Sequence, residues 1–199
     1  MSELLIENLT AQSYAIIDDF LSATEVEQLA SNLLLYHTRG SFKNAGIGQG
    51  VAQQIQNAIR GDQILWLDEH TTNVAEQVFL EKIEALRILL NRACYLGLKD
   101  AEIHYAMYPV GTFYKRHLDR FQKDSRRKIS VICYLNQGWE TTDGGELVIY
   151  TTNAAGEEIP IKVAPTAGRL VCFEADRLEH EVLPATRPRM SLTGWMRVY

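Results

Sequence analysis

Two kinds of periodicity divide the chain. Residues 14–20, YAIIDDF, predict a first short strand. Behind it Ser22 stands three residues before Glu25, the arrangement of a capping box, and Val26, Leu29, Ala30, Leu33 and Leu34 recur at helical spacing. A second, longer helix is predicted from about Asn73 to Leu96. Phe79, Ile83, Leu86 and Leu90 form its apolar stripe, and Gly97 is placed to end it. After Lys99 the period shortens. Runs rich in Ile, Val, Tyr, Thr and Cys, separated by Gly, Pro, Asn and Asp, fall at residues 102–108, 112–116, 128–135, 146–150, 159–163, 169–173, 181–183 and 190–198. Closely spaced strands of this number predict a sandwich or jelly-roll barrel. Two helices ahead of them make the class α+β, mainly β, with the helices packed on one sheet. The expected organisation is one domain over residues 1–199, with helical support at about 12–98 and the β core at about 99–199.

Composition narrows this little. The chain has 199 residues, 46% hydrophobic and 23% charged, ordinary for a globular protein. No apolar run approaches the ~18 residues of a membrane span, and MSELLIENLT lacks the features of a signal peptide. The expectation is therefore a cytoplasmic protein with no membrane partner, read as a monomer. Cys94, Cys133 and Cys172 are odd in number and form no CxxC pair, as expected of buried thiols in a reducing compartment. A formal net charge of −5 argues against a nucleic-acid partner.

Candidate chemistry is sparse. The stretch Ala45-Gly46-Ile47-Gly48-Gln49-Gly50 lacks the Lys-Ser/Thr ending of a phosphate loop and reads as a surface loop. There is no GxSxG elbow and no HExxH. His37 and His70 read as structural or solvated, and His104 as a core residue in preference to a site residue. His117 and Asp119 differ: two apart at the end of a strand, they point to the same side and can converge on one ion. With His180 they compose the two-His-one-carboxylate facial triad of non-haem Fe(II) oxygenases. By itself HxD…H is a weak pattern. Arg189 strengthens it, because a buried arginine near a metal needs an anionic partner and its fork suits a carboxylate. Thr193 shares its strand face, and Tyr134 offers a phenolic hydroxyl. Together they suit the distal carboxylate of 2-oxoglutarate, whose 2-oxo acid end would chelate the iron. The competing reading pairs Arg189 with an acid on the barrel surface.

The segments MYPVGTFYKRHLD, KISVICYLNQGWE, GGELVIY, LEHEV and RPRMSLTGW, with IRGDQILW upstream, resemble the prolyl hydroxylases that act on hypoxia-inducible factor and their bacterial relatives. The resemblance spans roughly residues 12–199 and is densest over 105–195. It implies a double-stranded β-helix, the cupin-like jelly roll of Fe(II)/2-oxoglutarate oxygenases. It also implies His117, Asp119 and His180 as iron ligands and Arg189 as the salt bridge to 2-oxoglutarate. Tyr108, Tyr134 and Thr193 match polar contacts to the cosubstrate; Ile132, Leu147 and Trp195 match apolar walls. Arg60, Asp62, Tyr114 and Arg116 match the substrate-facing side. The implied cofactors are Fe(II), 2-oxoglutarate and O2, with ascorbate as an auxiliary reductant. The implied reaction is hydroxylation of a prolyl residue at C4, with succinate and CO2 as coproducts. A translation factor such as EF-Tu is the protein substrate suggested by the bacterial relatives.

The turn between Tyr108 and His117 is one residue shorter than in the animal enzymes, and the chain stops at Tyr199 without their C-terminal segment. The chemistry is therefore expected to carry over more securely than the peptide specificity. From Lys115 to Lys128 seven Lys or Arg and two Asp give a net +5, so the remainder of the chain sums to −10. That loop is either a basic rim for an acidic peptide or a solvated loop. The competing functions are a 2-oxoglutarate oxygenase acting on a free amino acid, another small molecule or a nucleobase, and a non-catalytic jelly-roll binding module.

Overall fold

The computed structural model describes residues 2–46, 58–68, 72–119 and 126–199. Residues 47–50 of the glycine-rich stretch, His70 and residues 120–125 of the basic loop lie outside them. The helices are α1 (Ser2–Gln12), α2 (Ala23–Thr38) and α3 (Val74–Cys94). The strands are β1 (Tyr14–Ile17), β2 (Lys43–Asn44), β3 (Gln63–Trp66), β4 (Asp100–Tyr108), β5 (Tyr114–His117) and β6 (Arg127–Tyr134), then β7 (Leu147–Thr152), β8 (Glu158–Val163), β9 (Leu170–Glu174), β10 (His180–Val182) and β11 (Arg189–Arg197). They form a seven-stranded sheet of order β1-β9-β6-β11-β4-β3-β2 and a four-stranded sheet of order β5-β10-β7-β8, with antiparallel pairing between neighbouring strands. This is a jelly roll, one of the two architectures the strand spacing predicts, and the double-stranded β-helix that the resemblance implies. Among the described residues no helix is long and apolar enough to cross a membrane.

Local chemistry sets the helix ends. The Ser22 hydroxyl accepts from the Glu25 N–H at 3.3 Å, and the Glu25 carboxylate accepts from the Ser22 N–H at 2.8 Å. Asn73 and Glu76 make the same reciprocal pair at the start of α3, at 3.2 and 3.0 Å. The Glu76 carboxylate also accepts from the buried Tyr105 hydroxyl at 3.0 Å, tying that helix start to β4. α3 stops at Cys94, before the predicted end, with Tyr95 in the left-handed conformation at φ 54°. The reason lies in Asn91, whose side chain bonds both the N–H and the carbonyl of Leu98 at 2.7 and 2.8 Å and draws the chain back. β1 ends at Ile17, short of the predicted Phe20, because the chain turns at Asp19, φ 56°. The sequence reading contained no α1, β2 or β3. In α1 only Leu5 and Leu9 are fully buried among the described residues, one pair at i, i+4 spacing, with Ile6 half-buried beside them, and β2 has two residues.

The large sheet separates two apolar clusters. On its outer face Ile103, Tyr105, Ile129, Val131, Cys172 and Leu192 pack against Leu29 and Leu33 of α2 and Phe79, Ile83 and Leu90 of α3. On its inner face Ala106, Tyr108, Ile132, Tyr134, Val171 and Phe173 meet Leu147, Ile149 and Val182 of the small sheet. The cavity described next opens within this second layer.

Candidate active site

β5 and β10 lie side by side in the small sheet with His117 opposite His180, and the chain leaving β5 brings Asp119 back toward both. The candidate ligand atoms of the three residues all lie within 4.8 Å of one another. His117 Nε2 is 3.4 Å from one Asp119 oxygen, and His180 Nε2 is 3.5 Å from the other.

Which ring nitrogen carries the proton follows from the other contacts. His117 Nδ1 faces the Lys115 carbonyl at 2.7 Å, and His180 Nδ1 faces the Leu178 carbonyl at 3.2 Å. A carbonyl only accepts, so each Nδ1 is the donor and each neutral ring presents a bare Nε2 lone pair. Among the described residues His117 Nε2 is buried without a hydrogen-bond partner. Lone pairs aimed at a carboxylate repel it unless a cation lies among them, and two imidazoles with one carboxylate are the donor set of a non-haem Fe(II) site. The residues present fit the metal.

The electrostatics agree. Burial alone would raise the Asp119 pKa, but the positive charge that His180 and His117 take up in acid and the Ser130 hydroxyl, which donates to Oδ2 at 2.6 Å, hold it well below the carboxylate range. Burial lowers the His180 pKa to about 4 against the pull of Asp119, so its ring is neutral near pH 7. Tyr114 stacks on His117 with ring centroids 3.5 Å apart, and the Arg60 guanidinium lies over the Tyr114 ring at 4.6 Å. Arg60 is held by two bonds to the buried Asp62 carboxylate, at 2.6 and 2.8 Å. Burial opposes its charge, but Asp62 outweighs burial and raises its pKa.

These groups border one cavity of about 40 Å3, which Arg189, Tyr108, Thr193, Ile132, Leu147 and Trp195 also line. Arg189 is 2% exposed, and among the described residues its guanidinium bonds a backbone carbonyl and a phenol and no carboxylate. Its Nε donates to the Gly145 carbonyl at 2.9 Å, one Nη donates to the Tyr134 hydroxyl at 3.3 Å, and its head lies between the Tyr108 and Tyr134 rings. The surface ion-pair reading of Arg189 is thereby set aside. Burial raises the Tyr134 pKa against the opposing Arg189 charge, so the phenol keeps its proton as a donor. Thr193 and Ser191 share a hydroxyl bond at 3.0 Å on the same strand face.

Several positioning residues escaped the sequence reading. Asn136, 2% exposed, accepts from the Met190 N–H at 2.6 Å and donates to the Met190 and Pro165 carbonyls, fixing β11 beside Arg189. Gly145 adopts φ +70° where a Cβ would come within 2.9 Å of Ala185 and 3.2 Å of the Trp139 ring, so glycine there lets its carbonyl reach Arg189. Ser130 lies within a quoted motif, but only the fold shows that it bonds Asp119. His104 lines the cavity, where the sequence favours a core residue, and both its ring nitrogens are unpartnered among the described residues. Its signal was parity: it shares the strand face of Ala106 and Tyr108.

Arg116 stands apart. Its guanidinium bonds Glu158 and Glu179 and covers the Tyr150 ring at 3.8 Å, outside the cavity lining. Arg127 bonds Glu102 and lies 3.3 Å over the Trp195 ring, and Lys128 faces Glu174 and Asp176. These described members of the basic loop are thus answered by acids from other strands and turns.

Comparison with known proteins agrees with this geometry. Residues 103–197 match the profile of the 2OG-Fe(II) oxygenase superfamily. The chain is 39% identical to a Pseudomonas putida prolyl-4-hydroxylase of known structure, covering 100% of each chain with a TM-score of 0.88. It is 28% identical to a Trichoplax adhaerens prolyl hydroxylase solved with a peptide of the hypoxia-inducible factor oxygen degradation domain, covering 98% of this chain and 88% of that one, TM-score 0.87. It is also 28% identical to the hypoxia-inducible factor prolyl hydroxylase of Caenorhabditis elegans over 98% of its length, spanning 28% of that longer protein. An iron-type triad and an acid-free buried arginine in one jelly-roll cavity, with these relatives, place the chain in the 2OG-Fe(II) oxygenase superfamily, among the prolyl hydroxylases.

Proposed function

We propose that this protein hydroxylates a prolyl residue, at C4, within a protein substrate, using Fe(II), 2-oxoglutarate and O2. The observation that carries the reading is the pairing, in one cavity, of the triad with an arginine lacking an acidic partner. When bound, the iron, 2-oxoglutarate and O2 together supply the oxidant that converts a C–H into a C–OH, with succinate and CO2 as coproducts. The chain's own residues bind, orient and exclude water. His117 and His180 offer Nε2 lone pairs and Asp119 a carboxylate, so the metal is held from one side. Arg189 takes the cosubstrate carboxylate remote from the metal, with the Tyr134 phenol as a second donor. Ile132 and Leu147 keep water from the reacting atoms.

A macromolecular substrate is favoured by the cavity mouth. Trp66, 47% exposed, lies against His104 of the cavity lining with ring centroids 4.7 Å apart, and the Arg60–Asp62 pair holds Arg60 over Tyr114. A translation factor such as EF-Tu remains the specific candidate. The test is mass spectrometry of proline-containing peptides, EF-Tu fragments among them, after incubation with the iron-loaded enzyme and 2-oxoglutarate. The expected product carries one added oxygen on proline, with succinate formed in equal amount. Oxygen transfer to free amino acids alone would overturn the proposal.

A further inference from the structure

β4 sends three residues into the cavity: Tyr108, Ala106 and His104. The first two have ready explanations, since Tyr108 flanks Arg189 and Ala106 leaves room. His104 has none within the chain. It is 1% exposed, and among the described residues neither ring nitrogen has a hydrogen-bond partner. The Trp195 indole nitrogen is likewise buried and unpartnered. The imidazole packs between Trp66, ring centroids 4.7 Å away, and Trp195, 5.5 Å away. Burial, helped by the charges of Arg60 and Arg127 and opposed by Asp119, lowers its pKa to about 3, so the ring is neutral. A neutral imidazole has one N–H donor and one lone pair. Leaving both unused is costly for packing, where a phenyl ring would serve better.

Position says what the ring serves. His104 pairs with Thr193 across β4 and β11, four residues from Arg189 and so about 13 Å along the strand. Trp195, one step further on the same face, pairs with Ser130, whose hydroxyl holds Asp119. His104 therefore belongs to the metal end of the cavity, while Arg189 serves the opposite end. A 2-oxo acid that chelates through its keto oxygen and one carboxylate oxygen keeps a second carboxylate oxygen, which carries charge and needs a donor.

We infer that His104, with the Trp195 indole N–H beside it, donates a hydrogen bond to the metal-end carboxylate of the 2-oxo acid cosubstrate and so positions it. The inference rests on the assignment of iron and 2-oxoglutarate to this cavity.

Its test uses the Mn(II)-loaded protein without O2 and two probes. One is 2-oxoglutarate. The other is 4-oxopentanoate, which keeps the ketone and the distal carboxylate but carries a methyl group in place of the metal-end carboxylate. Calorimetric titration of His104→Phe is expected to show 2-oxoglutarate affinity reduced about tenfold or more, the effect of losing a hydrogen bond to a charged group. Binding of 4-oxopentanoate should be unchanged. His104→Gln, which restores an N–H donor, should recover most of the loss. The metal-free His104→Phe protein should melt higher than wild type, since two unpaired nitrogens are gone. Should the aromatic replacement fail to fold, His104→Met supplies the same contrast between probes. Unchanged 2-oxoglutarate affinity, or equal weakening of both probes with a fall in melting temperature, assigns His104 to packing and overturns the inference. Failure of the wild-type protein to bind 2-oxoglutarate would overturn the cosubstrate assignment itself, and that titration tells the two failures apart.

Discussion

Along β11, Leu192 and Met196 pack toward the helices, while Arg189, Thr193 and Trp195 line the cavity. Along β6, Ile129, Val131 and Cys133 alternate in the same way with Ser130, Ile132 and Tyr134. One backbone thus carries two surfaces that differ in how their polar atoms are treated. On the helix side the buried Tyr105 hydroxyl is bonded to Glu76, so that layer is paired within itself. On the cavity side, among the described residues, His104, His117 and Trp195 keep unpartnered nitrogens and Arg189 bonds no acid. A folded chain tolerates such atoms where a ligand completes them, and elsewhere the desolvation cost selects against them. Substitutions on the two faces should therefore fail in different assays.

The largest difference is expected at His117. His117→Ala removes one of three ligands from a site that relies on all of them, and metal-dependent 2-oxoglutarate turnover should fall below detection. Thermal melting of the metal-free protein should fall only modestly, through the loss of the Nδ1 bond to the Lys115 carbonyl and of the Tyr114 stack, because Nε2 has no partner among the described residues. Substantial remaining turnover would remove the triad from the chemistry. Its counterpart across the sheet is Phe79, 1% exposed among the α3 residues that face the outer layer. Phe79→Ala should cost about 3–5 kcal/mol in denaturant unfolding through the cavity it leaves. The molecules that remain folded should bind 2-oxoglutarate with unchanged affinity.

Gly194 is where the separation of faces should break. It lies in β11 between Thr193 and Trp195, and a Cβ there would stand 1.9 Å from the Glu102 carbonyl oxygen of β4. That atom is sheet backbone, so Gly194→Ala must push β4 away from β11, at a cost of roughly 1–3 kcal/mol or more. The same shift displaces His104 from Thr193, its partner in register. Melting temperature and 2-oxoglutarate affinity should fall together in this one variant. A loss of stability alone would mean that the two strands relax without disturbing the cavity.

These contrasts also explain what was legible beforehand. Seven of the eight β-core strands were readable because they run four residues or more between turn-forming residues, while β10 has three. α1 was not, since its burial rests on two leucines, and β2 has no inner and outer pattern to show. Within the site, the triad, Arg189, Tyr134 and Thr193 stood out because their chemistry is unusual at their spacing. Ser130, Asn136 and Gly145 are common residues whose roles depend on bonds to Asp119, Met190 and Arg189 made by the fold. The surroundings of the basic loop were hidden for a related reason. Counting charge along the chain cannot see that Glu102, Glu158, Glu174 and Glu179 return to meet it.

Ser130 gives a finer test of the cavity face. Ser130→Ala removes the donor to Asp119 Oδ2 while leaving the three ligands in place. A partner of this kind typically contributes about 10–100-fold in metal affinity, so iron or manganese binding should weaken within that range. Unfolding of the metal-free protein should change little. A drop in stability with unchanged metal affinity would place Ser130 with the helix-side residues in function.

The smallest effect is expected at Tyr134, 0% exposed, whose ring belongs to the inner apolar cluster and whose hydroxyl meets Arg189 at 3.3 Å. Tyr134→Phe keeps the ring and deletes only that hydroxyl. If the phenol is a second donor to the distal carboxylate, 2-oxoglutarate affinity should fall by about fivefold, the worth of one ordinary hydrogen bond near 1 kcal/mol. Arg189 keeps its bond to the Gly145 carbonyl, so the guanidinium stays in place and stability should hold. If the hydroxyl served only to orient Arg189, affinity would hold instead. The ring would then count with the apolar walls and Arg189 alone would anchor the cosubstrate.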